Sequence, residues 1–326
     1  MTSSKQTPKV SIIMNCFNGE AYLAEAIESV INQTYKNWEL ILWDNCSTDD
    51  SAKVFKSYND HRLKYFCSDG HTTLGQARAN AWQCVNGEFV AVLDVDDLWV
   101  SKKLEYQMPL FDDPDVGIVI SNANFKFSHH EKKYFQNKYP REGFVFNALL
   151  KDFFVCLPIL VVRKSFVDKL DIPSFDPEFS MIADFDLVLR LSRISKLAIV
   201  KRTLGIWRAH DNNITYAQSE KIYIENKQWI KKYEKTPQFF SGHLDSLRAF
   251  ENRIERAEIV RLITIGQKKK AFLKIRSFSF KGITAYMLIA CVMMPFSSFF
   301  IRYLKYLKMR SVLLDNILNV FLKSPA

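Results

Sequence analysis

Short apolar runs alternate along the first half of the chain with segments whose apolar residues recur every three or four positions. Val10–Met14, Glu39–Trp43, Leu63–Cys67 and Phe89–Leu93 read as strands. Between the first two, Leu23, Ile27, Val30 and Ile31 share one helical face, and Asn18-Gly19 supplies the turn before it. After Trp43, "DNCSTDDSAKVF" offers Ser47 as the N-cap of a second helix. "TLGQARANAWQCVNG" carries a third, expected to stop near Asn86-Gly87 ahead of the fourth strand. Strand and helix in turn predict a doubly wound, Rossmann-like α/β sheet.

From Asp112 to about Asp176 the pattern is less regular, with strands expected at Val116–Ser121 and Ile159–Val162. "FSMIADFDLVLRLSRIS" reads as a helix whose inward side holds Phe185, Val188, Leu189 and Ile194, with Asp184 and Asp186 near its start. Beyond Thr215 the chain becomes charged and helical. This divides it into a main domain over 1–217, a basic helical extension over 218–280 and a membrane-associating segment of apolar and amphipathic helices over 281–326.

Length and composition fit that layout, since 326 residues suffice for one large α/β domain and an appendage. Six cysteines without a CxxC pair argue against zinc and against a disulfide framework, and suit a reducing cytosol. The apolar stretch near the start is short and strand-like, so secretion is not expected. The net charge of +10 is concentrated late. Arg253, Arg256, Arg261, Lys268, Lys269, Lys270, Lys274, Arg276 and Lys281 precede the uncharged stretch 282–301, and Arg302, Lys305, Lys308 and Arg310 follow it. Cations flanking an apolar segment favour an anionic membrane surface over nucleic acid. The stretch is about long enough to span a bilayer, but Pro295 and Ser297-Ser298 interrupt it and both flanks are basic. Peripheral or monotopic attachment to the cytoplasmic face of the inner or plasma membrane is therefore expected, with a true span or packing against the main domain or a partner as alternatives.

The candidate chemistry lies at strand ends. Asp94, Asp96 and Asp97 follow the fourth apolar run, and carboxylates crowded there repel one another unless a cation sits among them. In an extended segment Asp94 and Asp96 share a side and suit Mn2+ or Mg2+, although an Asp-rich turn gives the same pattern. Asp44-Asn45 closes the second run, where an open α/β sheet places its ligand crevice, or merely begins a turn. Arg78 follows Gly75 at the start of the third helix and can hold a diphosphate or simply point to solvent. Asp184 can serve as a general base or as favourable charge at a helix start. His210 can meet phosphate or metal, or satisfy a local hydrogen bond.

Taken in order, these motifs resemble the family 2 glycosyltransferases, inverting enzymes of the GT-A fold, over roughly residues 8–215. "VSIIMNCFNGEAYLAEAIESVINQTYKNWELILWDNCSTDDS" is similar to the family's first strand, helix and nucleotide loop. "LGQARANAWQCVNGEFVAVLDVDDLWVSKKLEYQ" is similar to its "GxxxARNxGxxxAxGEYIxFLDxDD" block. The resemblance implies a GT-A mixed sheet flanked by helices. It implies that Asp44 and Asn45 face the donor base and ribose, Arg78 the diphosphate, and Asp94 and Asp96 the donor sugar and metal, with Asp96 the direct metal ligand. Asp184 matches the catalytic base of the "EDxDLWLR" segment. Two departures stand out: Ala183 replaces the Glu before that base, and Asn45 replaces the second Asp of the nucleotide loop. Arg208 and His210 match a later "YRxH" element loosely.

The implied activity is a metal-dependent hexosyl transfer, with Mn2+ or Mg2+, from a nucleotide-diphosphate sugar to a hydroxyl of a glycan or lipid-linked acceptor in cell-surface polysaccharide or lipopolysaccharide synthesis. Two other classes fit fewer residues. A non-catalytic nucleotide-sugar scaffold would account for Ala183, and a DxD phosphotransferase with Asp94 as nucleophile leaves "DNCSTDDS", Arg78 and "ADFDLVLR" unexplained.

Overall fold

A computed structural model describes residues 9–127, 131–136, 138–210, 213–214, 218–236, 238–277 and 292. Its strands are β1 (Val10–Cys16), β2 (Trp38–Asp44), β3 (Leu63–Cys67), β4 (Phe89–Val92), β5 (Leu98–Trp99), β6 (Val116–Lys126), β7 (Glu131–Lys133), β8 (Val161–Arg163) and β9 (Lys196–Arg208). Helices α1 (Glu20–Ile31), α2 (Ser51–Lys56), α3 (Leu74–Trp82), α4 (Lys103–Gln107), α5 (Phe146–Lys151), α6 (Lys164–Val167) and α7 (Ala183–Ser192) are interleaved with them. Three more follow: α8 (Ser219–Glu234), α9 (Leu244–Thr264) and α10 (Lys268–Ser277). By contact the chain divides into two units, one reaching Phe146 and resuming over Phe154–Asn213, the other made of Asn147–Phe153 and the chain from Ile214.

The first unit is built on one mixed sheet in the order β3-β2-β1-β4-β8-β6-β9-β5, with β7 paired to β6. The predicted alternation produces the parallel half, β3-β2-β1-β4, as expected of strands linked by helical crossovers. Beyond β4 the sheet becomes mixed: β8 runs antiparallel to β4 and β6, while β6 and β9 are parallel. All seven residues of β1 are buried, and the core around it gathers Ile12, Met14, Leu23, Ile27, Leu40, Leu42 and Ala91.

Three local expectations are corrected. Ser47 does not cap α2, which begins at Ser51 after Asp50; the Ser47 hydroxyl instead accepts the backbone N–H of Asn18 at 3.0 Å. Helix α3 ends at Trp82, short of Asn86-Gly87, and begins with the Thr73 hydroxyl accepting the Gln76 N–H. Ile194 lies beyond the end of α7 and is exposed, whereas Phe185, Val188 and Leu189 are buried as expected.

The second unit is helical. Trp229 is fully buried, with Tyr233, Phe239, Phe240 and Phe250 packed edge-on or tilted around its ring. Glu255 on α9 receives Lys274 of α10 at 2.8 Å and Lys227 of α8 at 3.2 Å, tying the three helices together. No helix among the described residues is long and apolar enough to cross a membrane. The expected membrane-associating stretch, 282–301, and the helices expected after it lie outside the described residues, apart from Val292.

Candidate functional site

The carboxyl ends of β1, β2 and β4 bring the predicted residues to one rim of the sheet. Parallel pairing sets Cys16 against Asp44, so the β1 and β2 exits lie side by side. Asp44 is buried, and each carboxylate oxygen accepts a hydrogen bond: Oδ2 from the Tyr65 hydroxyl at 2.6 Å and Oδ1 from the Ser47 N–H at 2.8 Å. Burial and this neighbouring carboxylate push the Tyr65 phenol well above its usual value, keeping it a donor. Asn45 donates to the Thr72 carbonyl at 2.8 Å and accepts the Thr72 hydroxyl at 2.8 Å and N–H at 3.1 Å. Its amide is therefore spent on holding residues 71–72. Cys46 then adopts a φ of +69°, a conformation uncommon outside glycine, which turns the chain sharply after the pair.

Arg78 does not point to solvent. It is buried on α3, and its Nη2 lies 3.2 Å from Oδ1 of Asp94, while its Nε has no hydrogen-bond partner. An unsatisfied buried guanidinium N–H is costly unless a ligand completes it. Helix α3 reaches this place because Gly75 permits close approach: a Cβ there would stand 2.2 Å from the carbonyl oxygen of Phe179. The loop it touches leads into α7, whose first turn carries Asp184. Burial raises the Asp184 carboxyl, and Arg78, the largest opposing influence, lowers it; Asp94 adds a smaller upward push. Arg78, Asp94 and Asp184 thus act on one another. Asp184 also accepts the N–H of Phe185 at 2.9 Å, and Ala183 before it is fully buried.

The acidic triplet is a turn, not an extended segment, with the Asp97 N–H bonded to the Asp94 carbonyl at 3.0 Å. Asp94 and Asp96 consequently part company. Asp94 faces Arg78, whereas Oδ2 of Asp96 lies 3.0 Å from Nε2 of His210 and accepts Nδ2 of Asn213 at 3.1 Å. Strand β5 begins at once after the turn and pairs with β9, Leu98 opposite Ile206, which brings Asp96 and Asp97 to Arg208. Arg208 donates its Nε to the Asp96 carbonyl and its backbone N–H to Oδ1 of Asp97, which is fully buried. Burial raises the Asp96 carboxyl and Asp94 raises it further, with His210 opposing; Asp97 is pushed well up, mainly by burial. His210 is thus not engaged in a merely local bond. It stacks on Tyr22, centroids 4.8 Å apart, and its Nδ1 is buried without a partner.

Sequence reasoning missed Tyr22, Tyr65, Thr72 and Asn213. Only Asn213, in the polar run after His210, carried a signal. Among the described residues no three His, Cys, Asp or Glu side chains form a ready-made metal cage. Asp96 and Asp94 do offer hard oxygen donors in a place where acid crowding is incompletely offset. That suits Mg2+ or Mn2+, ions that commonly take one or two carboxylates and complete their shell with substrate phosphates.

Comparison with known proteins points to one family. The sequence profile of Glycosyl transferase family 2 matches residues 11–171. Over 122 residues the chain is 34% identical to the UDP-Glc:alpha-D-GlcNAc-diphosphoundecaprenol beta-1,3-glucosyltransferase WfgD of Escherichia coli, covering 37% of this chain and 46% of that protein. Over 104 residues it is 40% identical to the putative glycosyltransferase EpsE of Bacillus subtilis, covering 31% and 37%. The match thus spans less than half the length of either relative.

Two solved structures share the fold. S. aureus TarS 1-349 in complex with UDP-GlcNAc superposes with a TM-score of 0.56 at 16% identity, over 82% of this chain and 88% of that one. Mannosyltransferase PcManGT from Pyrobaculum calidifontis, in complex with GDP-Man and Mn2+, gives 0.59 at 13% identity, over 98% and 89%. Residues 11–171 of the chain thus match glycosyl transferase family 2.

Proposed function

We propose that this chain is an inverting glycosyltransferase that moves a sugar from a nucleotide-diphosphate donor to a hydroxyl of a glycan or lipid-linked acceptor in cell-surface polysaccharide or lipopolysaccharide synthesis. The observation that carries the reading is Arg78: a buried cation with a spare N–H, set among Asp94 and Asp184 at the carboxyl rim of the sheet. In this reading Asp44 and Asn45 line the nucleoside end, holding Tyr65 and residues 71–72 in place. Arg78 faces the diphosphate and Asp94 the donor sugar. Asp96 would hold Mn2+ or Mg2+. When bound, that cation offsets charge on the departing nucleotide. Asp184 takes the proton from the attacking hydroxyl, which lies opposite the leaving group, so one in-line displacement inverts the anomeric centre. The lipid-linked acceptor is suggested by the name of the E. coli relative.

A thermal-shift screen of UDP- and GDP-sugars, with and without Mn2+, tests donor and metal together. The matching donor raises Tm, and the cation increases the rise. Asp184→Asn keeps donor binding and loses transfer roughly 10²–10⁴-fold. Because burial raises Asp184, the acid limb of kcat lies above the ordinary carboxylate value, with activity falling as pH drops through it. Near-normal turnover by Asp184→Asn would remove that residue from the role. Donor binding without transfer across a broad acceptor panel would make the chain a scaffold.

A further inference from the structure

We propose that a cavity on the β5–β9 edge of the sheet binds a phosphate or diphosphate group, distinct from the diphosphate that the proposed function sets beside Arg78. It is an open concavity of about 420 Å3 lined by Lys102, Lys133, Lys201 and Arg202 together with Tyr106 and Tyr139. No Asp or Glu lines it. Among the described residues none of the four cations ion-pairs with a carboxylate, whereas other surface lysines of this unit do, Lys164 with Asp168 and Lys196 with Asp113 and Asp115. Four like charges around one concavity repel one another, and a multiply charged anion relieves that repulsion.

The backbone delivers these cations to the cavity. Along the β6–β9 ladder Ser121 pairs with Val200 and the next residue, Asn122, with Thr203, so Lys201 and Arg202 are left out of register as a bulge. Bulges re-aim side chains, and this one presents two adjacent cations. Tyr106 steadies them: the Arg202 guanidinium carbon is 4.5 Å from its ring centroid, and Lys102 Nζ is 6.0 Å from the same ring. Across the strands the Val100 N–H bonds the Leu204 carbonyl at 3.0 Å, fixing the two lining segments together.

The chemistry selects the ligand class. Arginine matches the spaced oxygens of a phosphate in a bidentate fork, lysines supply point charge, and Ser101 and Thr203 add hydroxyls to the lining. Two tyrosines and the apolar Val100 and Leu204 leave room for the group that bears the phosphate. Leu204 lies four residues before Arg208 on β9, roughly 13 Å along an extended strand, so the cavity is distinct from the acidic turn.

Calorimetric titration of the full chain with inorganic pyrophosphate at low salt tests the site without requiring transfer activity. Binding is expected, weakening as salt rises. Lys201→Ser with Arg202→Ser should reduce affinity at least roughly ten-fold, and Lys133→Ser, on a different strand, should reduce it too. An equal charge loss at Lys269→Ser with Lys270→Ser should leave it unchanged. Geranyl diphosphate binding more tightly than pyrophosphate assigns the site to a lipid-borne diphosphate, and equal binding assigns it to the phosphate group alone. A parent chain that binds no pyrophosphate overturns the proposal. So does unchanged affinity in both folded cavity variants, because pyrophosphate held beside Arg78 would survive those substitutions.

Discussion

Glu39 shows how one residue can carry both a fold and a pH dependence. It sits on β2, buried, where Lys9 lies 2.6 Å from Oε2 and Asn86 donates its backbone N–H to Oε1 at 3.1 Å. Burial alone would raise its pKa, but Lys64, Lys9 and Ser11 outweigh it and hold the carboxyl at about 2. A depressed carboxylate contributes stability that is present above its unfolded value and lost as pH falls through the folded one. Glu39→Gln should therefore cost on the order of 2–3 kcal/mol at pH 7 and remove the loss of stability between roughly pH 4.5 and 2. Urea denaturation across pH checks this, and parallel curves for parent and variant would refute it. Residue types at strand ends were legible for Asp44 and Asp94, because an apolar run that stops in a carboxylate is a local pattern, and Asp184 was legible as an acid at the start of a helix. The direction of each side chain was not. Ser47 suits a cap and a loop bond equally well, and only the fold brings Asn18 to it.

Helix α3 shows how an element positions chemistry. The stop signal read from its sequence, Asn86-Gly87, lies four residues beyond Trp82, where the helix ends, which is why its end was misplaced. What fixes its position is Gly75 against the backbone of Phe179, a contact 104 residues away in sequence. Gly75→Ala should push α3 off that loop, lowering stability by about 1–3 kcal/mol and weakening donor binding because Arg78 moves with the helix. Gly70→Ala, where a Cβ meets nothing within 4 Å, serves as control and should stay within about 0.5 kcal/mol of the parent. Thermal melts with and without donor separate the two effects, and equal behaviour of both variants would discount the contact. Strand β5 was illegible for a different reason. Two residues carry no periodicity, and β5 exists only because β9 is there to pair with it.

At the scale of the whole molecule, the sheet unit carries every residue proposed for donor and acid–base chemistry, while the helical unit leads toward the basic and apolar segments that follow it. We propose that the latter attach the chain to the cytoplasmic face of a membrane. Alkaline carbonate should release the protein from membrane fractions, and resistance to extraction would instead mark a true span. The pairing of β5 with β9 has a consequence for the order of events in folding. Asp96 and His210 are 114 positions apart, and Asp97 meets the Arg208 backbone across 111. Closing such loops is slow relative to local structure. On the ribosome the parallel half of the sheet can form while β9 is still unmade, but the Asp96 carboxylate lacks His210 and Asn213 until residue 213 has emerged. The emerging chain should therefore acquire the parallel half of its sheet before it completes its chemistry.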